Sequence, residues 1–227
     1  CVTTRAGGVS QAPFDSFNLG DHVDDDPHAV ALNRQHLTRT FCVQPAWLSQ
    51  VHGVVVAPAD PSQIVEADAS WTSTPGIACT VMTADCLPAL FCNRAGTRVA
   101  AAHAGWRGLA AGVLEAAARS LHVEPQDIVV WLGPAIGPKA FEVGGEVRDV
   151  FINDMPHAAS AFVPSTHPGR YMADIYELAR LRLARCGIDA VYGGGFCTVT
   201  DPRFFSYRRS PRTGRFASLV WIETPSS

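Results

Sequence analysis

The feature that most constrains this chain is a set of apolar runs that do not alternate. Ile77–Thr83 (IACTVMT), residues 99–102 (VAAA) and Ile128–Leu132 (IVVWL) lack a polar residue at every second position. A strand with one wet face shows that alternation, so runs without it read as strands covered on both faces. The sheet must lie between layers. Helical patterns supply them. Residues 27–41 follow the capping residue Asp26, carry Pro27 at the first helical position, and set Val30, Leu37 and Phe41 on one face. An Ala-rich stretch at 109–121 and a segment at 174–186 closed by Gly187 predict two more helices. FASLVWIE (216–223) reads as a final strand. The order is not a βαβ alternation, so the expected class is α/β (α+β), a mixed sheet with helices outside. No repeat, linker or low-complexity tract divides the 227 residues, which predicts a single domain over 1–227.

Composition excludes several classes. With 47% hydrophobic and 17% charged residues the chain is not intrinsically disordered. No apolar run reaches the roughly 20 residues of a membrane span. A net charge of −3 leaves no basic footprint for nucleic acid or anionic lipid. Seven cysteines, odd in number and without CxxC spacing, suit a reducing compartment. With strand-like sequence from Cys1 and no charged-then-apolar leader, the expectation is a trimmed start and a cytoplasmic protein.

Phosphate-loop, dinucleotide, nucleophile-elbow and HExxH signatures are absent. Gly193-Gly194-Gly195 lacks the helix of a dinucleotide loop and reads as a turn. Three other segments draw attention: SQVHG (49–53), TADCLP (83–88) and AAHAGWRG (101–108). Each places a ligand or nucleophile at a strand end, namely His52, Cys86 and His103, and strand ends are where open sheets gather their sites. Two imidazoles and a thiolate make a competent three-ligand zinc set with a fourth position left for water, whose pKa the metal lowers to about 7. Spacing alone leaves two other readings open: a core cysteine with two unrelated histidines, or a metal-free Cys86–His103 nucleophile pair. Arg5, Arg107, Arg208 and Arg209 lie beside glycine or aromatic turns, where arginines suit bidentate phosphate capture or simply face solvent. Asp85, next to Cys86, is a candidate to orient a ligand, contact substrate or cap a turn. Histidines 22, 28, 36, 122, 157 and 167 read as surface or structural, and Trp47, Trp71, Trp131 and Trp221 as core. Trp106, between Gly105 and Gly108, is placed to line a pocket.

The same segments carry a resemblance. TRAGGVS, FNLGDHVDDD, WLSQVHG, TADCLPALF, VAAAHAGWRGLAAGV, WLGPAIGPKAFEVGGEV, YMADIYELAR and FFSYRRSPRTGR recur in this order along essentially the whole chain. They resemble the bacterial YfiH family, also described as DUF152 or as a laccase-domain, polyphenol oxidase family. Its members usually begin some residues earlier. One departure is Ser210, where the family often has Asp after SYRR. The resemblance implies an α-β-β-α layered sandwich like the catalytic domain of cytotoxic necrotizing factor. It also implies a metal site, usually zinc with copper an alternative, at the positions matching His52, Cys86 and His103.

As to activity, the resemblance implies a purine nucleoside phosphorylase for adenosine, inosine and methylthioadenosine, with adenosine deaminase activity. Its partners are then a purine nucleoside and phosphate, with one or more of Arg5, Arg107 and Arg208 as phosphate clamp. The competing expectations are copper-dependent polyphenol oxidation and a metal-free Cys–His hydrolase or peptidoglycan-editing role. A blue-copper site with a trinuclear cluster needs many histidines, usually in His-x-His pairs, and this chain has eight histidines and no such pair. A single Cys/His/His site still binds copper well, because Cu²⁺ outranks Zn²⁺ for most such ligand sets.

Overall fold

The structure is a computed structural model that describes residues 1–224. Along the chain run α1 (Pro27–Phe41), β1 (Gln44–Ala46), β2 (Leu48–Ser49), β3 (Val56–Pro58), β4 (Val65–Glu66) and β5 (Ala69–Thr72). Three longer strands come next, β6 (Ile77–Thr83), β7 (Leu87–Asn93) and β8 (Val99–Ala104), and then α2 (Trp106–Ala111), α3 (Val113–Ser120) and β9 (Ile128–Leu132). The last third holds β10 (Glu142–Gly144), α4 (Gly145–Asp154), β11 (Phe162–Pro164), β12 (Arg170–Ala173), α5 (Ile175–Arg185), β13 (Val191–Gly193) and β14 (Phe216–Trp221).

Two mixed sheets stack face to face. The larger has the order β13-β9-β7-β8-β5-β3, antiparallel at its centre with parallel pairs at both edges, and the smaller has the order β1-β6-β14. Strand alternation sorts the apolar side chains between layers. On β6, Ala78 and Met82 join Leu37 of α1 and Leu219 of β14. Cys79 and Val81, on its other face, meet Leu90, Val99 and Ala101 of the larger sheet. On β8, Ala100, Ala102 and Ala104 pack instead beneath Leu114 and Ala117 of α3 and Leu178 of α5. The order of layers is therefore helix, sheet, sheet, helix, the α-β-β-α sandwich that the motifs imply. Trp47, Trp71, Trp131 and Trp221 are only partly buried and pack at the margins of these clusters.

α1 has its expected bounds, with the Asp26 carboxylate accepting the His28 N–H at 3.0 Å. α5 is capped by Asp174, which accepts the N–H groups of Tyr176 and Glu177. The expected helix at 109–121 is instead two helices. Gly112 adopts φ +101°, and its N–H closes α2 on Gly108 and Leu109 before α3 restarts. Strand β8 runs two residues past its expected end and so includes His103, whereas β14 stops at Trp221. The β10–β12 sheet and α4 lie outside the sequence expectations. No helix among the described residues is long and apolar enough to cross a membrane.

Two registers converge on one edge of the sandwich. Phe216 of β14 pairs with Thr83 of β6, and Pro88 of β7 pairs with His103 of β8. Together they bring the β6–β7 link, the end of β8 and the start of β14 to that edge.

Candidate metal centre

His52 follows β2 in a loop fastened at two points. The side-chain amide of Gln50 exchanges hydrogen bonds with the Met82 backbone, donating to its carbonyl and accepting its N–H at 2.8 Å each, as a strand neighbour would. The Asp68 carboxylate, at the head of β5, accepts the N–H groups of Val51 (3.2 Å), His52 (2.9 Å) and Gly53 (2.6 Å). That wrapping holds His52 at φ +63°, a region side-chain-bearing residues seldom occupy. Cys86 lies in the short link between β6 and β7. Its neighbour Asp85, at φ +97°, accepts from Thr198 Oγ1 and from the Arg208 N–H, each at 2.6 Å. His103 shares the face of β8 with Val99 and Ala101 and so points between the two sheets.

These three side chains meet. Cys86 Sγ is 3.7 Å from His52 Nε2, the imidazole centroids are 4.7 Å apart, and the three ligand atoms lie within 4.8 Å of one another. Buried Asp68 accepts from His103 Nδ1 at 2.8 Å, which leaves Nε2 of His103 for the group's centre. A tetrahedral zinc with bonds of about 2.0–2.3 Å separates its ligand atoms by roughly 3.5 Å, so the donor set fits with little movement. Glycine makes the approach possible: a Cβ on Gly105 would stand 2.5 Å from His52 Cδ2 and 3.1 Å from Cys86 Sγ. Another on Gly108 would stand 2.9 Å from the Gly53 carbonyl oxygen.

The electrostatics fit a thiolate ligand. Burial pushes the Cys86 thiol up, but the charges and hydrogen bonds of His103 and His52 outweigh it and bring it down to about 6. Burial likewise opposes protonation of His103, yet the Cys86 thiolate and Asp68 raise it to about 9. Asp68 itself sits below the usual carboxylate range, because its bonds to His103 and to the loop amides overcome burial.

The trio opens into a cavity of about 440 Å³. Its apolar wall includes Trp106, Ile136, Phe141 and Tyr207, and its polar wall includes Gln50, Arg107, Arg208 and Arg215. A larger cavity of about 700 Å³ opens beside Trp131, Trp221 and Phe204, but it shares no lining residue with this one and is mostly apolar.

The other expected site residues separate. Arg107 and Arg208 line the trio's cavity, as does Trp106, with the Arg107 guanidinium 4.5 Å from the Trp106 ring. Arg5 is elsewhere: it pairs with Asp15 at 2.9 Å and lies over Phe205. Arg209 clamps a loop through the carbonyls of Thr198, Val199 and Phe204. Asp85 reaches the cavity wall, but its two oxygens are engaged in tying the 198 and 208 loops together. His22, read from sequence as surface, also lines the cavity, because the 20–22 turn packs against Arg215. Asp68, Gln50 and Arg215 were not among the sequence candidates. Each acts on partners distant in sequence, so no local pattern marked it.

Over residues 1–223 the chain matches the family model described as multi-copper polyphenol oxidoreductase laccase. A Pseudomonas aeruginosa protein named purine nucleoside phosphorylase is 70% identical over 224 residues, covering 98% of this chain and 93% of the relative. The Escherichia coli purine nucleoside phosphorylase YfiH is 54% identical, with the same coverage of the two chains. Among solved structures, a Neisseria meningitidis protein of the DUF152 family superposes with a TM-score of 0.95 at 51% identity, over 98% of this chain and 93% of that one.

Proposed function

The chain belongs to the multi-copper polyphenol oxidoreductase laccase family, the YfiH or DUF152 family that its motifs resemble, and on that premise we propose that it is a zinc-dependent purine nucleoside phosphorylase. Adenosine, inosine and methylthioadenosine are its substrates with phosphate, and adenosine deamination is a second activity. The observation that carries this reading is the His52–Cys86–His103 group opening into a cavity with aromatic and cationic walls. Relatives named purine nucleoside phosphorylase support the reaction class.

In phosphorolysis the bond between the ribose C1′ and the purine nitrogen breaks, a bond from C1′ to an oxygen of hydrogen phosphate forms, and the departing purine takes up the proton that the phosphate gives up. This chain's residues divide that work by chemical type. His52, Cys86 and His103 hold the zinc, which supplies Lewis acidity when bound. Asp68 keeps the His103 Nδ1 proton in place and so fixes which nitrogen faces the metal. Trp106, Phe141 and Tyr207 offer flat apolar surface to the purine and exclude water from it. Arg107 and Arg208 attract phosphate as fork-shaped donors. Arg5, engaged with Asp15, and Asp85, engaged with Thr198 and Arg208, have no direct part in the reaction. We further infer one domain over 1–227, supported by the bridge of Val2 to Ser218 and by β6–β14 pairing across the chain's length, and a cytoplasmic protein with no nucleic-acid or membrane partner.

Two other readings have an observation behind them. Copper-dependent phenol oxidation is favoured by the family's description and by the affinity of such donor sets for Cu²⁺, although among the described residues one group alone has the donors to hold a metal. A metal-free hydrolase is favoured by the line Asp68–His103–Cys86, which orders an acid, an imidazole and a thiol. Product chromatography from adenosine, with zinc-loaded, copper-loaded and chelator-treated protein, separates the three. Phosphate-dependent adenine from the zinc form supports phosphorolysis, and inosine formed without phosphate supports deamination. Phenol oxidation that tracks copper content, with no adenine from any form, would overturn the proposal.

A further inference from the structure

Arg215 stands apart from the cavity's other cations. It directly precedes β14, and the pairing of Phe216 with Thr83 sets it beside Ala84, two residues before Cys86. Its backbone is locked: its N–H donates to Asn18 Oδ1 at 2.8 Å, and its carbonyl accepts the Leu19 N–H at 3.0 Å. Its side chain is held as well. Nη1 donates to the carbonyls of Thr213 and Gly214 at 3.0 and 3.1 Å, and the stem lies across Gly20, where a Cβ would stand 2.8 Å from Cγ.

No carboxylate pairs with this half-buried guanidinium among the described residues, and Nε and Nη2 make no hydrogen bond to the protein. The negative groups within its electrostatic reach are Cys86 and Asp85; neither makes a hydrogen bond to it, and both Asp85 oxygens are already occupied. Arg107 and Arg208 likewise lack a carboxylate partner, but both are exposed, and Arg208 spends Nη1 on the carbonyls of Ala140 and Glu142. A partly desolvated cation held rigid without a carboxylate partner has lost hydration that a bound anion offsets. The chain carries a net charge of −3 yet collects at this one cavity three guanidinium groups without a carboxylate ion-pair partner.

We propose that Arg215, with His22 and Arg208 lining the same cavity, is the core of a subsite for a doubly charged tetrahedral oxyanion, separate from the three metal-ligating side chains. The inference rests on the phosphorolysis reading for inorganic phosphate as the physiological anion; the site itself is testable without turnover. A phosphate carried on a nucleotide has the same chemistry, so both sources enter the test.

Zinc-loaded wild type, Arg215→Gln, Arg215→Lys and Gly20→Ala are titrated calorimetrically with inorganic phosphate, with and without adenosine, and separately with adenosine 5′-monophosphate. Losing a charge-assisted pair of bonds lowers phosphate affinity roughly tenfold or more in Arg215→Gln. Arg215→Lys loses less. Gly20→Ala keeps the charge but displaces the side chain, and weakens phosphate several-fold. Zinc content and adenosine affinity stay within about twofold of wild type. If Arg215→Gln fails to hold zinc, Gly20→Ala carries the test. Phosphate and the nucleotide binding equally to wild type, Arg215→Gln and Gly20→Ala would overturn the proposal. Arg215-dependent binding of the nucleotide alone upholds the site and assigns its anion to nucleotides. Arg215-dependent phosphate binding without adenine formation upholds the site and removes phosphorolysis. Phosphorolysis with an unchanged phosphate KM in Arg215→Gln does the reverse.

Discussion

Replacing Asp68 by asparagine tests whether one buried carboxylate assembles the metal centre. Oδ1 accepts from His103 Nδ1 and the His52 N–H, and Oδ2 accepts from the Gly53 and Val51 N–H groups. Asparagine retains the volume but replaces one oxygen with a donor. If the NH₂ faces Gly53 and Val51, two hydrogen bonds are lost and donors confront donors. If it faces His103, the imidazole must turn or change tautomer. Hydrogen bonds to a charged partner contribute about 1.5–3 kcal/mol each, so losing two costs about 3–6 kcal/mol. At about 2–4 °C per kcal/mol for a domain of this size, Tm of the zinc-free protein should fall by roughly 6–24 °C. Zinc affinity, measured by competition with a chromophoric chelator, should fall roughly 10–100-fold, because partners of metal-ligating histidines commonly carry that much. A variant that binds zinc as wild type does, with unchanged Tm, would refute the claim that Asp68 organises the SQVHG loop and His103 together.

Four further outcomes are expected. Gly105→Ala should cut zinc affinity at least tenfold at little cost in global stability, since its Cβ would collide with His52 Cδ2; stoichiometric zinc at wild-type affinity counts against the packing argument. Zinc uptake should depend on pH through His103, which is raised to about 9, while Cys86, lowered to about 6, is already a thiolate in that window. Binding then releases about one proton between pH 6 and 9, so apparent affinity climbs by about tenfold per pH unit, and calorimetry in buffers of different ionisation enthalpy counts the proton. In the zinc-free protein the His103 contribution to stability is lost as pH rises from the unfolded value of 6.5 through 9, and that of Cys86 is lost as pH falls from 9 through 6. The two slopes cancel between about 6.5 and 9, and denaturation midpoints there should be flat with respect to this pair. Arg182→Leu removes the cation that joins Glu115 of α3 at 3.0 Å to Asp154 of α4 at 2.9 Å and leaves Glu115 largely buried without its partner. Urea denaturation should show a loss of about 3–5 kcal/mol with unchanged zinc affinity.

How much of the molecule was legible in the sequence depends on the range of the forces involved. The runs at 77–83 and 128–132 and the Asp26-Pro27 start of α1 announce themselves because periodicity and capping act over a few residues. His52, Cys86 and His103 were readable as strand-end residues, and the family motifs turned a weak trio into a specific one. Asp68 was not. Its partners, loop 51–53 and His103, are distant in sequence, and EADAS carries no local mark of a ligand-orienting role. Arg215 and Gln50 escaped for the same reason: each acts through a register, β14 on β6 and SQVHG on β6, that exists only once the sheets have formed. The glycine-rich surroundings of Arg5 suggested a phosphate turn, whereas in the fold Asp15 takes its guanidinium and it does not line the trio's cavity. Gly112 shows how local conformational freedom can override a helix-favouring composition: an Ala-rich stretch still breaks where φ turns positive.

The measurement closest to the central claim pairs metal content with turnover in Cys86→Ala. Zinc-loaded wild type and variant are quantified for metal, incubated with adenosine with and without phosphate, and the products separated by chromatography. Phosphate-dependent adenine is predicted from the wild type, and in the variant the loss of zinc and adenine together. A variant that has lost its zinc and still forms adenine at the wild-type rate would contradict a zinc-dependent phosphorylase.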